Sequence, residues 1–598
     1  MATLVVGALS LSTHAQSQDG RTLKETVVTA TRTEQALADL VADVTVIDRP
    51  AIERSGATGL ADVLSRVPGI EMARNGGPGT TTSVFIRGAE TRFTAVFIDG
   101  VRVDSQATGG AIWEQIPLAQ IDRIEVLRGP ASAVYGSDAM GGVIQIFTRK
   151  GQGPFTPYAG AGLGTYGTRK WETGFSGADG ALDYALGVAR EASSGFNARP
   201  VAGQNPDDDG YVSESLGARL GWQLNEAHRL EATALSHKLD SQYDGSATAD
   251  DHNLHLLQTQ ALNWRGQWSD TYRTLLSLTE SRSQYETQPS PYLTMTRLNG
   301  YLFQNEWRLG AHQVTAALER KVDYLENSSV GGARDRSQDG LAVGYGWSLD
   351  RHNVQLHARH DADSEFGGHD TGSAAYGYAL TPQWRATASV GTAFRAPTLY
   401  QRFSAYGVAN LQPESSVNQE LGLRYAQGSS QWSVVAYRNQ VSNLITFSTP
   451  GSCISTVGCY ANTAQAEYDG VTLSMRERLG EFNVQGSLDV QDPRDKVTGN
   501  LLARRASQHA NLSADTYWAG WLVGGGVQLS GARYDNAANT IVLPGYAVFN
   551  LYTSTRLTKD WTLLARIDNL TDSSYQLANT YATPGRSLYV GMRWEPAR

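Results

Sequence analysis

Acidic side chains gather in two neighbouring stretches of the chain. The first is residues 205–210, NPDDDG, and the second is residues 240–251, which contains four aspartates and a tyrosine. Clustered carboxylates repel one another, and a bound divalent cation would remove that cost. Calcium takes about six to eight oxygen ligands in flexible geometry, whereas transition metals favour the histidine or thiolate ligands that residues 205–210 lack. At this point a solvated acidic loop without a metal is the alternative.

Other kinds of functional chemistry find little support in the sequence. No Ser/His/Asp arrangement and no glycine-rich phosphate-binding loop stands out, so the sequence does not predict an enzyme. The formal net charge is -9 and the sequence pI is about 5.7. No basic run follows the pattern of a phosphate-backbone site, which argues against a nucleic-acid partner.

The elements that would carry the acidic loops are strands. The mean hydropathy is -0.34, and no apolar run approaches the roughly 20 residues of a membrane-spanning helix. From Pro154 onward, segments such as Leu182 to Val188 alternate between apolar and small or polar residues, with Gly, Asn, Asp and Pro turns between them. At roughly 20 residues per strand and turn, residues 151–598 hold on the order of 22 strands. This pattern predicts a transmembrane β-barrel whose lumen must be filled, although a large soluble β-protein shares the composition.

Residues 36–150 predict a small α/β domain that would fill such a lumen. A strand at Arg123–Leu127 stops at Gly129-Pro130, and the chain returns in a strand at Val143–Thr148. Upstream, Leu60, Val63, Leu64 and Val67 share one face of a predicted helix that Thr58 would cap.

The phrases FIRG (85–88), IDGV (98–101), RGP (128–130) and YGSDAMGGV (135–143) occur in this order. Together they resemble the plug domain of TonB-dependent outer-membrane transporters, and residues 585–594 resemble the last barrel strand of that family. The resemblance implies an all-β membrane protein: a 22-stranded antiparallel transmembrane β-barrel with a small N-terminal α/β plug domain inside the lumen. It further implies a monomer surrounded by the lipids of the bacterial outer membrane. Arg87, Arg123 and Arg128 are expected to pair with carboxylates of the barrel wall.

A β-prone run at residues 24–32 stands alone among polar residues. Such a run can add to the edge of a partner's sheet, or it can be the first strand of the next domain. Its position and wording resemble the TonB box, which this family presents to the periplasmic energy transducer TonB. The predicted box consists of Glu25, Thr26, Val27, Val28, Thr29 and Ala30.

The N-terminus resembles the end of a secretory signal. Residues 4–12 are apolar and Ala15 is the small residue that a signal peptidase prefers. We therefore expect a signal-peptide remnant over residues 1–15, with the box and its linker over residues 16–35. A disordered tail is the alternative.

Two plug segments, residues 75–82 and 104–111, are rich in glycine and small polar residues and look like binding loops. By resemblance they are apical loops that touch the substrate from below. In the branch of the family that transports cobalamin, the substrate contacts correspond to Thr81, Ser83, Glu90, Thr108, Gly109 and, in the barrel, Arg504. An ordinary surface turn is the alternative for each plug residue.

The same branch carries calcium-binding loops where the two acidic stretches lie. The resemblance implies that the calcium ligands are Asn197, Asn205, Asp207, Asp209, Tyr243, Asp244 and Asp250. Calcium would then order the outer loops before substrate binds.

The phrases FRAP (394–397) and NLQP (410–413) resemble a pair of boxes common in the family, and in its haem receptors a histidine lies between the two. Residues 398–409 contain no histidine, so the resemblance argues against haem as the substrate. The predicted function is TonB-dependent import of cobalamin or a related corrinoid. A siderophore transporter of the same architecture and a non-transporting plugged receptor are the alternatives.

The chain contains two cysteines, Cys453 and Cys459, in an otherwise polar loop. Outside the cytoplasm this spacing indicates a disulfide. Two free thiols are the alternative.

Overall fold

The computed structural model describes residues 26–27, 32–36, 40–448 and 453–597. Within these residues no helix has both the length and the apolar character needed to cross a membrane. The signal-peptide remnant lies outside the described residues, as do Glu25, Val28, Thr29 and Ala30 of the predicted box.

The N-terminal part consists of short strands and helical turns. In chain order these are β1 (Thr26–Val27), β2 (Gln35–Ala36), β3 (Asp43–Asp48), α1 (Arg49–Ser55), α2 (Leu60–Leu64), β4 (Ile70–Arg74), β5 (Thr82–Ile86), β6 (Thr94–Ile98), β7 (Val101–Arg102), β8 (Ile121–Arg128), α3 (Ser132–Tyr135) and β9 (Gly142–Thr148). Within the described residues, five of these strands form one sheet in the order β3-β8-β9-β6-β7, and β4 pairs with β5. The predicted strand–turn–strand unit is present as β8, α3 and β9.

The turn between β6 and β7 explains the phrase IDGV. Asp99 and Gly100 both adopt positive φ, 49° and 87°. Two successive residues in that region make a type I′ turn, which favours Asp-Gly because its twist matches that of the flanking strands.

The predicted helix at Leu60–Val67 is shorter than expected, because α2 ends at Leu64. Val67 is nevertheless buried in the plug core. Thr58 is not the cap: the Asp62 carboxylate accepts the Gly59 N–H at 2.9 Å and the Thr58 hydroxyl at 3.0 Å. The acid at the third helical position therefore accepts a backbone N–H at the start of the helix, and Thr58 donates to that acid instead of capping the helix.

The rest of the chain forms the barrel. Its strands are β10 (Thr156–Gly164), β11 (Arg169–Asp179), β12 (Leu182–Phe196), β13 (Asp209–Gln223), β14 (His228–Tyr243), β15 (Asp251–Ser269), β16 (Tyr272–Gln288), β17 (Tyr292–Leu309), β18 (His312–Asn327), β19 (Arg334–Leu349), β20 (His352–Asp363), β21 (Gly367–Ala379), β22 (Trp384–Arg395), β23 (Glu414–Gln427), β24 (Ser430–Ser448), β25 (Cys459–Leu479), β26 (Phe482–Asp495), β27 (Gln508–Trp518), β28 (Trp521–Ser530), β31 (Tyr546–Arg556), β32 (Trp561–Asp568) and β33 (Ser587–Trp594). A helix, α4 (Leu399–Phe403), follows β22, and a short hairpin, β29 (Arg533–Tyr534) with β30 (Val542–Leu543), follows β28.

Among the described residues, 22 antiparallel strands close the barrel where β10 pairs with β33. This confirms the predicted fold class. The alternation has the expected sense: Leu182 on β12 is 43% exposed on the outer face, whereas Asp183 beside it is buried in the lumen. On β33, Leu588, Val590 and Met592 likewise face outward.

The two rims of the barrel differ in the length of their connections. One rim carries short turns such as residues 180–181 and 270–271, and the other carries long connections such as 197–208, 396–413 and 569–586. In outer-membrane barrels the short turns are periplasmic and the long loops extracellular. Both acidic stretches therefore lie on the extracellular rim.

The three plug arginines that were expected to pair with the wall behave differently from one another. Arg87 reaches the wall carboxylate Glu420 at 2.7 Å as well as plug Asp43 at 2.7 Å. Arg128 instead pairs with Asp43 at 3.2 Å, and Arg123 pairs with Glu125 at 2.8 Å. The expectation is confirmed for Arg87. These ion pairs of Arg128 and Arg123 are made inside the plug sheet: Asp43 lies opposite Arg128 on the adjacent strand β3, and Glu125 lies two residues from Arg123 on β8 itself.

The two described box residues are not free of pairing. Thr26 lies opposite Ala36 and Val27 opposite Gln35 in a two-stranded antiparallel ladder. Without a partner's sheet, these two residues therefore pair with a strand of their own chain.

Candidate functional site

The first apical loop joins β4 to β5 and packs against the extracellular end of the barrel wall. It is closed by the Asn75 N–H, which donates to the Thr81 carbonyl at 3.1 Å. The Ser241 hydroxyl at the end of β14 donates to the Gly79 carbonyl at 2.7 Å. A Cβ atom on Gly79 would lie 2.5 Å from the Cβ of Ser241. Glycine at this position therefore allows the loop to touch the wall.

Arg504 joins this loop to the opposite extracellular connections. Its NH1 donates to Asn75 Oδ1 at 3.1 Å and its Nε donates to Asp535 Oδ1 at 2.8 Å. Thr81, at the end of the loop next to β5, is exposed, and Ser83 on β5 is half-buried. Of the predicted substrate contacts, Thr81, Ser83 and Arg504 thus belong to one connected region.

The second apical loop, residues 104–111, is anchored to a different part of the wall. The Gln106 N–H donates to Thr296 Oγ1 at 3.1 Å, and its side-chain amide donates to Asp323 Oδ2 at 3.1 Å. Thr108 is exposed at the tip. Gly109 is buried, with φ of 78°, and a Cβ there would come 2.0 Å from the guanidinium NH2 of Arg395. Thr108 can therefore meet a ligand directly, whereas Gly109 shapes the loop.

Glu90 already has a cationic partner. Its carboxylate lies 2.8 Å from the guanidinium of Arg505 on the barrel side. Burial alone would raise the pKa of Glu90, but the nearby Arg505 charge outweighs that effect and lowers it. Glu90 is consequently ionised, and its side chain is only 26% exposed.

The predicted calcium ligands lie on two adjacent extracellular connections, residues 197–208 and 244–250, and on the strand ends beside them, at Asp209 on β13 and Tyr243 on β14. Asp209 and Asp244 are buried, Asn197, Asn205, Asp207 and Tyr243 are half-buried, and Asp250 is exposed. Asn205 links the two connections, because its N–H donates to the Ser246 carbonyl at 3.1 Å. Asp250 accepts from the Gln242 amide at 3.0 Å. The structure therefore places the seven residues in one region.

Of the predicted calcium ligands, Asp244 has the features that best suit a metal ligand. Its Oδ2 atom is buried and has no hydrogen-bond partner among the described residues. Burial, followed by repulsion from Asp207, raises the pKa of the Asp244 carboxyl above its usual range. Nowhere in the described part of the chain, however, do three or more His, Cys, Asp or Glu side chains converge into a complete metal site. The oxygen donors suit calcium, but the carboxylates stand apart.

The acidic loops and the first apical loop are contiguous. Asp209 Oδ2 accepts the Ala198 N–H at 2.8 Å, and a Cβ on Gly76 of the plug would lie 2.7 Å from the Cβ of Ala198. Ala198 in turn accepts the Ala582 N–H at 2.9 Å. Ala198 therefore lies between the acidic loops and the plug apex.

Several connecting roles were missed by the sequence reasoning: those of Ala198, Arg199, Ser241 and Asp535, and the contact with Arg504 that Asn75 makes within the predicted loop. Arg199 lies over the Tyr581 ring at 5.3 Å and hydrogen-bonds Gln204 at 3.0 Å. Asn75 had a local signal, since it directly precedes the glycines of its loop. The others act through contacts between distant segments, which no local pattern contains.

Cys453 and Cys459 form the expected disulfide, with their Cα atoms 5.7 Å apart. It ties residues 453–459 beside the start of β25, on the extracellular rim.

The sequence model of the family described as "TonB dependent receptor-like, beta-barrel" matches residues 146–570. That of the "TonB-dependent Receptor Plug Domain" matches residues 36–143. This chain belongs to the TonB-dependent receptor family. It is a TonB-dependent transporter of the bacterial outer membrane, and its family comprises transporters and receptors.

Curated relatives cover the whole chain. The chain is 31% identical over 629 residues to the vitamin B12 transporter BtuB of Vibrio cholerae serotype O1, covering 100% of this chain and 99% of that protein. It is 29% identical to the vitamin B12 transporter BtuB of Photobacterium profundum, covering 94% of each.

Solved structures of similar fold carry a different description. A mutant of the ferric enterobactin receptor PfeA from Pseudomonas aeruginosa has a TM-score of 0.80 at 19% identity, covering 92% of this chain and 98% of that one. The siderophore receptor PirA from Acinetobacter baumannii has a TM-score of 0.79 at 18% identity, with the same coverage. At these identities the likeness concerns the fold.

Proposed function

We propose that this protein imports cobalamin, or a closely related corrinoid, across the outer membrane. The observation that carries the proposal is the similarity to curated vitamin B12 transporters over the entire chain. That similarity includes the plug and the loops that decide what a barrel of this family binds.

The geometry of the extracellular mouth supports a large ligand held from two sides. Thr81 is exposed at the base of the first apical loop and Thr108 at the tip of the second. Arg504, on the connection between β26 and β27, reaches the first loop. Polar side chains on the plug apex, surrounded by the extracellular loops, suit a ligand that is bulky and carries many amide groups. Thr81, Ser83, Thr108 and Arg504 would contact it, while Glu90 and Gly109 would position their neighbours.

Calcium is part of the proposal. Asp207, Asp209, Asp244 and Asp250 would hold it, together with Asn197, Asn205 and Tyr243. The positive charge of the ion would offset the repulsion between these carboxylates. Calcium prefers oxygen ligands of this kind. The buried, unpartnered Oδ2 of Asp244 supports this assignment.

Energy would come from TonB through residues 25–30. Exchange of the internal pairing of Thr26 and Val27 for pairing with a TonB strand would place the segment on the partner's sheet edge, where main-chain hydrogen bonds provide affinity. Pulling on the segment would then act on the plug.

Uptake by whole cells tests the proposal. A strain lacking its own cobalamin transporter, with and without TonB, would express this protein and receive radiolabelled cyanocobalamin. The proposal predicts accumulation only in the strain with TonB. Binding of a ferric siderophore, with no cyanocobalamin uptake, would instead favour the second candidate, which the fold likeness to siderophore receptors supports.

A further inference from the structure

A crevice separates the plug from the wall strands β11–β14. On the plug side it is lined by α2 and the turn before it, by the first apical loop and by the segment that precedes β8, which contribute residues 57–61, 78–79 and 116–119. The wall contributes Lys170 on β11, Glu191 on β12 and Ser213 on β13. The volume of the crevice is about 70 Å³, which is room for several water molecules. Its upper end therefore adjoins the loop that carries the proposed substrate contacts.

Gln120 closes the crevice on the periplasmic side. It directly follows the lining residues 116–119, and its amide donates to the Ser215 hydroxyl at 3.0 Å. A Cβ atom on Gly187 or Gly217 would lie 2.9 or 2.8 Å from Gln120 Oε1, so these two glycines leave space in the wall for the side chain. Both glycines lie nearer the periplasmic ends of β12 and β13 than the wall residues that line the crevice. The crevice is thus closed below by a neutral side chain that fits into the wall.

Ion pairs hold the plug to the far side of the barrel, away from the crevice. They join Arg87 to Glu420 at 2.7 Å, Glu90 to Arg505 at 2.8 Å and Arg92 to Glu414 at 3.2 Å. Buried pairs of this kind are costly to separate, because each charge is then left without its partner. This side of the plug is therefore the harder one to move away from the wall.

Hydrogen bonds between neutral groups hold the plug at the crevice. The Ser241 hydroxyl donates to the Gly79 carbonyl, and His237 Nδ1 lies 2.6 Å from the Gln115 carbonyl oxygen. In the described part of the chain, the ion pairs that join the plug to β11–β14 lie outside the crevice lining; they are Arg49–Glu172 and Asp99–Arg219. Neutral hydrogen bonds are readily exchanged for bonds to water. The plug can therefore separate from the wall most easily along this side.

Glu114 is a polar group of the crevice that lacks a full set of partners. It belongs to the lining, and its buried Oε2 atom has no hydrogen-bond partner among the described residues. Burial raises the pKa of Glu114 to about 7. Across the crevice, the Tyr211 hydroxyl donates to Glu191 at 2.6 Å, and the Lys170 ammonium lies 3.8 Å from the same carboxylate. Both walls thus offer hydrogen-bonding groups to a ligand that carries amides.

We propose that the transported corrinoid leaves its extracellular site through this crevice, between the plug and β11–β14, when TonB moves the plug. Glu114, Lys170 and Glu191 would bind its amide groups in transit, and Gln120 would withdraw from the wall to let it pass. The inference rests on the proposed function, because it describes the route of that same substrate. The small volume at rest means that the crevice widens only during transport.

The test uses cells that express the full-length protein with one added cysteine, either S213C in the crevice or S416C on β23. Ser416 is a buried serine two residues from Glu414, on the side that ion pairs hold. The two native cysteines form a disulfide, so the added cysteine is the reactive thiol. A bulky charged maleimide is added with and without cyanocobalamin, to strains with and without TonB. A reagent that adds only a methylthio group is the control for size.

Cyanocobalamin and TonB together should speed the labelling of S213C at least about fivefold and that of S416C by less than about twofold, since a thiol reacts only where the reagent reaches it. The bulky adduct on S213C should lower uptake at least about tenfold, because it blocks a step of the transport motion. Cyanocobalamin affinity of the labelled protein, and uptake after methylthiolation, should each stay within about twofold of the unlabelled variant.

Equal acceleration of labelling at S213C and S416C, or normal uptake by S213C that carries the bulky adduct, would overturn the route and leave the proposed function standing. Absence of cyanocobalamin uptake by the unmodified protein would overturn the proposed function, and this inference with it. If heat-dependent gel mobility shows that S213C does not fold, K170C on β11 takes its place with the same expectations.

Discussion

At the scale of single residues, Gly109 shows how closely the plug is fitted to the wall. Its φ of 78° disfavours any side chain, and a Cβ would also collide with Arg395. Gly100 has a similar φ of 87° but open space around its Cβ position. Substituting each glycine by alanine therefore distinguishes two effects. At Gly100 only the backbone is strained, whereas at Gly109 the new Cβ atom would also collide with Arg395.

We therefore predict that G109A weakens cyanocobalamin binding about tenfold or more, because the displaced loop carries Thr108 with it. G100A pays about 1–2 kcal/mol of backbone strain alone and should bind within about twofold. Calorimetric titration of both variants measures the difference. Equal effects of the two substitutions would show that the contact with Arg395 does not position the loop.

A second prediction at this scale concerns the titration of Asp244. Its folded pKa lies above the ordinary value of 3.8, so the calcium-free loops gain stability from the proton below that value and lose it as the pH rises through the raised pKa. Calcium requires the ionised form and reverses the trend. Protease resistance of the loops, followed from about pH 4 to about pH 8, should fall with rising pH in a chelator and rise with it in calcium. Parallel curves in the two conditions would contradict the account.

The matched substitutions D244N and D208N test the same residue without a change of pH. Asp208 is an exposed neighbour of the proposed ligands, whereas Asp244 is buried with an unpartnered oxygen. D244N should weaken calcium binding at least about tenfold, by loss of a charged ligand, and D208N should leave it within about twofold. Calcium affinity measured with a competing indicator distinguishes them, and equal affinities would exclude Asp244 as a ligand.

At the scale of elements, loss of the predicted TonB box should abolish transport without affecting substrate binding. Deleting residues 25–30 removes the strand that would pair with TonB but none of the extracellular contacts. Cyanocobalamin affinity should then stay within about twofold of the wild type, while uptake falls to the level of a strain lacking TonB. Uptake that the deletion leaves unchanged would contradict the assignment of residues 25–30 as the TonB box, whereas absence of uptake by the wild type as well would support a non-transporting receptor.

The elements were predicted to very different degrees. The alternation of Leu182, Tyr184, Leu186 and Val188 with Asp183 specified a strand and its lipid-facing side, since period two is written directly in the chain. The extent of α2 was overestimated because Val67 stays buried after the helix has ended. The partner of Arg128 depends on which strands become neighbours, and this order does not follow from local sequence. Arg123 pairs with Glu125, two residues along its own strand.

The site shows the same division. Resemblance placed Asp207, Asp209 and Asp244 in one region, and the fold brings the two connections that carry them together. The resemblance did not predict the contacts that run from Asp209 through Ala198 to Gly76. Gly76 is far from the other two residues in sequence, and neither Ala198 nor Gly76 has a polar side chain that would indicate a contact. Nor did the sequence distinguish the buried Gly109 from the exposed Thr108 beside it.

At the scale of the whole molecule, the protein is a plugged 22-stranded barrel of the outer membrane. The central proposal is that its substrate is cobalamin or a related corrinoid. The most direct test is calorimetric titration of the detergent-purified protein with cyanocobalamin, in calcium and in a chelator. The account predicts tight binding that weakens when calcium is removed. Absence of cyanocobalamin binding in both conditions would contradict it, leave the transporter architecture standing, and make ferric chelates the next ligands to titrate.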